Sequence, residues 1–264
     1  MTGITPTLGI KETAANIGNF FRENKETLWS ILKPLLPWII GLYALDILVT
    51  VMFMADSEHE FGLGGFIAGY FFTCLIISWH RVVIYGAQNA VPMNPFKPQK
   101  HEWVFLGMGL LLGLCAALAG FIFGLIFFPI SPALGALMVF LLMPVAVYIG
   151  FRFTFYFPAK AVNNSITLKE SFRLTKGYVF KLLSASFIAS LKYIVGLVVY
   201  FVVIFLMLGL FSTILGDLGN NAVMQGIFGF FFSLPVLIYF YPILIVVGVT
   251  AISNYYLYAL QHKS

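Results

Sequence analysis

Six apolar runs, each roughly as long as a bilayer's hydrocarbon core is thick, divide this sequence, and they limit the chain to a bundle of membrane-crossing helices. They cover about Leu35 to Met54, Phe61 to Trp79, Val104 to Phe128, Pro132 to Gly150, Leu182 to Phe211 and Val223 to Tyr258. The last run is longer than one span requires. It holds Pro235 and Pro242, so a kink, a tilt or an extension beyond the membrane is expected there. Only 9% of the residues are charged, against about 25% in a soluble domain, too few to cover a soluble protein of 264 residues. Six spans at roughly 20–25 residues each leave little chain for a separate soluble domain. The first 28 residues are polar and lack the apolar core of a cleavable signal, so the first span is expected to act as the insertion signal.

The charges give the threading. The connection between the first two runs carries Asp56, Glu58, His59 and Glu60 and no base; the next connection of its kind, Pro129 to Pro132, is uncharged; the one between the last two holds Asp217. The alternate segments carry the bases: Lys11, Arg22, Lys25 and Lys33; then Arg81, Lys97 and Lys100; then Arg152, Lys160, Lys169, Arg173, Lys176 and Lys181; then Lys263. With six spans, 14 of the 15 Lys and Arg residues fall on one side. The positive-inside rule assigns that side to the cytoplasm, so a bacterial inner membrane with both termini cytoplasmic is expected. The net charge of +5 then points to anionic lipid rather than to nucleic acid.

The resulting organisation is an N-terminal amphipathic segment over 1–34, a six-helix domain over 35–258 and a short tail over 259–264. Within the first, Ile10, Ala14, Ile17, Phe21 and Leu28 recur near helical spacing with Lys11, Asn19, Arg22 and Lys25 between them. A second surface helix is expected near 167–177. Thr167 and Glu170 have capping-box spacing, Gly177 marks a stop, and Lys169, Arg173 and Lys176 form a basic stripe at i, i+4, i+7. Such a helix suits the membrane surface, or else begins the fifth span as an extension.

Few residues offer chemistry. Asp46 lies mid-way through the first run, where an ionised carboxylate costs roughly 2.5–3.5 kcal/mol. Lys192, in the fifth run, is its natural counter-ion, although its stem is long enough to reach the interface. Arg81 and Arg152 each follow an even-numbered run, as headgroup anchors or as planar forks for lipid phosphate. Cys74 and Cys115 sit inside apolar runs with no paired-Cys metal spacing. Glycines four apart, at Gly65/Gly69, Gly109/Gly113 and Gly120/Gly124, permit close helix approach. Asn163-Asn164-Ser165 spells a glycosylation acceptor but falls on the basic side. His59, His80, His101 and His262 are scattered, and no nucleophile, phosphate-loop or zinc signature is present, so no catalytic residue, metal ligand or cofactor is assigned.

Two stretches carry a likeness. Phe151-Arg152-Phe153-Thr154-Phe155-Tyr156-Phe157-Pro158-Ala159, continued by Ser171-Phe172-Arg173-Leu174-Thr175-Lys176-Gly177, together with Trp79-His80-Arg81, resembles six-helix bacterial inner-membrane proteins related to the membrane domain of glycerophosphoryl diester phosphodiesterases. Phe172 stands where that pattern has Trp. The resemblance implies a membrane domain with cytoplasmic amphipathic elements and carries over no hydrolase activity, which resides in a separate soluble barrel. The expectation is a non-enzymatic module of envelope or lipid homeostasis. It would bind lipid headgroups through Arg81, Arg152, Lys169, Arg173 and Lys176, or hold a partner protein or a second copy of itself. The rivals are a small transporter or channel built on Asp46 and Lys192, and an intramembrane enzyme drawing on His80, Arg81 and Arg152.

Overall fold

The computed structural model of this chain describes residues 3–53, 63–127, 129–215 and 222–262. Among these residues all regular structure is helical. Met54, Asp56, Glu58, His59, Glu60, Phe61, Phe128, Asp217 and Lys263 lie outside them. Five stretches are long and apolar enough to cross a membrane: Ile67–Tyr85, Lys100–Phe127, Gly135–Ala161, Val179–Leu210 and Phe228–Gln261. A sixth is added if Lys25–Leu32 and Leu36–Val49, bent by 54°, form one broken span.

In chain order the helices are α1 (Ile10–Glu23), α2 (Lys25–Leu32), α3 (Leu36–Phe53), α4 (Leu63–Tyr85), α5 (Lys100–Phe127), α6 (Pro132–Arg152), α7 (Tyr156–Ala161), α8 (Leu168–Leu174), α9 (Val179–Leu215), α10 (Ala222–Pro235) and α11 (Tyr241–Gln261). Several outrun their apolar sequence because polar residues cap them. Helix α4 continues past Trp79 to Tyr85 and stops at Gly86, whose φ of +83° costs an L side chain dearly. Helix α5 starts at Lys100 rather than Val104, since the Gln99 backbone N–H donates to Glu102 Oε2 at 2.6 Å. Helix α11 runs through Gln261, so the first half of the expected tail, 259–261, is helix.

Helix α4 is the central element. Helices α3 and α11 pack along it, and α7 crosses its last turns. Helix α9 lies against α1 and α11, and α10 lies against α3. One core joins Leu75, Ile77 and Trp79 of α4 to Ile17, Leu28 and Leu32 of α1 and α2 and to Val246 of α11. A second gathers Phe155, Leu182, Tyr255 and Tyr256. Helices α5 and α6 pair with each other and reach the rest chiefly through α7, with lighter contacts to α4, α8 and α9.

The N-terminal segment is built into the fold. Ile4 N–H donates to Val83 O at 2.8 Å, and the Asn254 amide grips the Thr7 backbone twice, accepting at 3.1 Å and donating at 2.8 Å. A Cβ on Gly3 would stand 2.4 Å from Ile84 O, so only glycine fits. Helices α1 and α2 break at Asn24, and Ala14, Ile17, Phe20 and Leu28 form their buried side, with Phe21 edge-on to Tyr193 of α9.

The regular α-helix of the long final run is interrupted at its prolines. Helix α10 ends at Pro235, a π turn spans Val236–Phe240, and Pro242 sits in the first turn of α11. Tyr200 of α9 donates its hydroxyl to Phe232 O, and α9 comes close enough there that a Cβ on Gly196 would lie 3.3 Å from the Phe240 ring. A neighbouring side chain thus supplies a donor where the helical ladder is interrupted.

Candidate functional site

At the end of the bundle that carries the basic connections, three successive residues of α4 point to three sets of partners. Trp79 Nε1 donates to Thr250 Oγ1 at 2.9 Å, and His80 Nδ1 meets Ser253 Oγ at 2.7 Å, both on α11. Arg81 turns the other way. Its Nε donates to Ala161 O at 2.7 Å and Nη1 to Val91 O at 3.1 Å. Its Nη2 donates to Glu102 Oε1 at 2.6 Å and lies 3.0 Å from His101 Nε2. A guanidinium has no acceptor, so that imidazole nitrogen is the acceptor. The Arg81 and Glu102 side chains are 9% and 2% exposed, which makes this a buried ion pair whose remaining valences are met by protein.

Arg152 repeats the device at the end of α6. Its Nε donates to Phe172 O at 3.1 Å and to Thr175 Oγ1 at 3.2 Å, its Nη2 donates to the same carbonyl, and its Nη1 donates to the Tyr148 hydroxyl at 3.1 Å. The guanidinium carbon stands 4.0 Å from the Phe172 ring centroid. The parallel is chemical: each arginine reaches carbonyl oxygen in the last turn of a short helix, Ala161 ending α7 and Phe172 near the end of α8. Cations are favoured there by the helix dipole and the unbonded carbonyls.

Helix α8 is thereby held at both ends. The Thr167–Glu170 capping box forms in both directions at its start. Gly177, at φ +83°, takes the turn that follows. Ser171 and Thr175 face inward, while Lys169, Arg173 and Lys176 are exposed.

The expected residues therefore divide. Arg81 and Arg152 are turned into the protein, whereas the α8 stripe is open. Asp46 is half-buried on α3, whose packing partners are α4 and α10. Lys192 is exposed on α9, its Nζ 4.8 Å from the ring centroid of adjacent Tyr193. The structure does not pack α3 along α9, and among the described residues it pairs Arg81 with Glu102. The enzyme constellation is split as well: His80 faces Ser253 on α11 while the acid beside Arg81 is Glu102. Glu102 and His101 were not singled out by sequence, although Gln99-x-x-Glu102 has the spacing of a helix cap. Of the spaced glycines, Gly69, Gly113 and Gly120 would each put a Cβ into open space, so they mediate no close helix contact. Asn163 adopts φ +55° and Asn164 donates to the Tyr256 hydroxyl at 3.0 Å, committing this loop to the fold.

Two clefts flank the start of α5. A polar one of about 400 Å³ is lined by Arg81, Asn89, Lys97, His101, Glu102 and Asn163 among others. An apolar one of about 590 Å³ lies between α4 and α5. Among the described residues no group of three His, Cys, Asp or Glu is placed to hold a metal ion. No family model, no curated protein and no solved structure matches this chain.

Proposed function

We propose that this protein is a non-enzymatic module of a bacterial inner membrane, with six spans and both termini in the cytoplasm, that engages anionic lipid headgroups at its basic face. Relation to the membrane domain of glycerophosphoryl diester phosphodiesterases belongs to the same proposal. The observation that carries it is the α8 stripe: Lys169 and Arg173 on the helix and Lys176 in the turn that follows are exposed, with α8 held by a capping box at one end and by Arg152 at the other. A basic side chain near an anionic bilayer surface contributes about 1 kcal/mol.

The dimensions agree with that reading. Helix α9 has 37 residues. At 1.5 Å per residue it is about 55 Å long, far more than the roughly 30 Å of hydrocarbon. On this proposal its first part, packed on α1, stands in the headgroup zone together with Lys192 and Tyr193.

Electron spin resonance of spin-labelled lipids in proteoliposomes tests the proposal. The protein is expected to prefer phosphatidylglycerol over phosphatidylcholine, and changing Lys169, Arg173 and Lys176 to Gln is expected to reduce that selectivity severalfold. Unchanged selectivity would overturn the role of α8, and labelling of position 169 from the periplasmic side would overturn the threading.

A further inference from the structure

We propose that the apolar cleft between α4 and α5 is a binding site for one anionic phospholipid, its chain in the cleft and its headgroup at Lys100. This inference rests on the membrane reading above but not on the α8 stripe, which is a different surface. The cleft, at about 590 Å³, lies within the ordinary range of ligand pockets. On one side it is walled by Tyr70 and Thr73 of α4, on the other by Trp103, Leu106 and Leu110 of α5.

The chemistry of the walls selects hydrocarbon. The two polar side chains of α4 are already satisfied, Thr73 Oγ1 donating to Gly69 O at 2.9 Å and the Tyr70 hydroxyl to Pro95 O. Neither has a donor left for a polar solute. Space is held open by glycine: a Cβ added at Gly69 or at Gly107 would meet no atom within 4 Å. These glycines leave a gap between the helices instead of bringing them into contact.

The chemistry of the mouth selects a headgroup. Lys100, Trp103, Gly107 and Leu110 recur on one face of α5 at helical spacing. That face reads, from the basic end inward, as ammonium, indole, then hydrocarbon, the order in which a phospholipid presents phosphate, ester and chain. Trp103 is 58% exposed, and its indole N–H makes no hydrogen bond among the described residues. Lys100, one turn before it on α5, is exposed. A second copy of this chain would have to bring carboxylates to the same mouth.

Trp103 provides the readout. In proteoliposomes carrying acyl-brominated lipids, the fluorescence difference between the protein and Trp103→Phe isolates this indole. Half-quenching is expected at about a fivefold lower mole fraction of brominated phosphatidylglycerol than of brominated phosphatidylcholine. Gly107→Leu, whose Cβ meets open space, is expected to fill the cleft and bring that ratio to about one, as is Gly69→Leu from the opposite wall. Lys100→Gln should abolish most of the preference while leaving quenching itself in place. The triple Gln variant of α8 should leave the ratio untouched, so loss of the α8 role and loss of this site are separable. Retention of the preference in both leucine variants, its loss in the α8 variant, or a Trp103 quenched by neither lipid because another chain covers it, would each overturn the assignment.

Discussion

The basic end and the α5–α6 hairpin are made of much the same apolar residues and are packed in opposite ways. The membrane-length window of α4 is 67% buried within the protein, against 0% for α5 and 6% for the window that includes α6. Leu114, Leu118, Phe121 and Leu125 of α5 and Phe140 and Met143 of α6 all stand open. Between lipid-immersed helices, apolar side chains gain little by exchanging lipid for protein. What separates the two regions is polar chemistry. Around α4 the Trp79–Thr250 and His80–Ser253 contacts join helices distant in sequence, Arg81–Glu102 joins α4 to α5, and Asn254 ties in the N-terminal segment. Along the outer part of the hairpin nothing comparable occurs among the described residues. Hydrophobicity selects the segments that enter the membrane, and a few polar side chains select which of them meet.

Removing the acid of the buried pair is the strongest way to break this contrast. Glu102→Leu strands the Arg81 guanidinium where water is scarce and also strips the Gln99 N–H of its acceptor. A loss of about 3–5 kcal/mol is expected, measured as a lowered denaturation midpoint in detergent. The double change Arg81→Met with Glu102→Leu is expected to recover a large part of it, because no unpaired charge remains. Equal destabilisation in the single and double variants would show that the pair does not decide how α4, α5 and α7 meet.

A smaller, local effect is expected at the second arginine. Arg152→Ala removes the donors to Phe172 O and Thr175 together with the stacked guanidinium, a loss of about 2 kcal/mol. Helix α8 has seven residues and cannot persist alone, so amide exchange should accelerate over 168–175 while α4 and α11 keep their protection. Exchange accelerating throughout would mean that Arg152, like Arg81, holds the whole base together, and the two arginines would not differ in reach.

Much of this was legible in the residues. The apolar runs announced helices, and Thr167, Glu170 and Gly177 announced the start and finish of α8, because caps are local chemistry read over three or four positions. The prolines announced the interruption of the α-helix after α10. Partners across the fold were not legible. Arg81 looks the same in sequence whether it faces a phosphate or Glu102, since the choice depends on where α5 begins and how α7 crosses α4. Asp46 and Lys192 invited pairing because they were the charges inside apolar runs. Nothing local revealed that α9 packs on α1 and α11. The glycine pairs misled for a related reason. Four-residue spacing states what close packing requires, not whether a neighbour is present.

The smallest effect is the sharpest test of the bare region. Leu118 lies mid-way along α5 and is 51% exposed, with no helix of the same chain against its outward face. Leu118→Ala deletes three carbons that meet lipid in either form, and alanine is the better helix former, so the change should cost about 0.5 kcal/mol or less. That is several times below the usual cost of the same truncation in a packed core, about 2–5 kcal/mol. The measurement is a denaturation midpoint in the same detergent as Glu102→Leu. A cost of about 2 kcal/mol or more, falling as the protein is diluted, would mean that α5 packs against another copy of the chain. The contrast between a clasped base and a lipid-facing hairpin would then be a contrast between contacts within one chain and contacts between two.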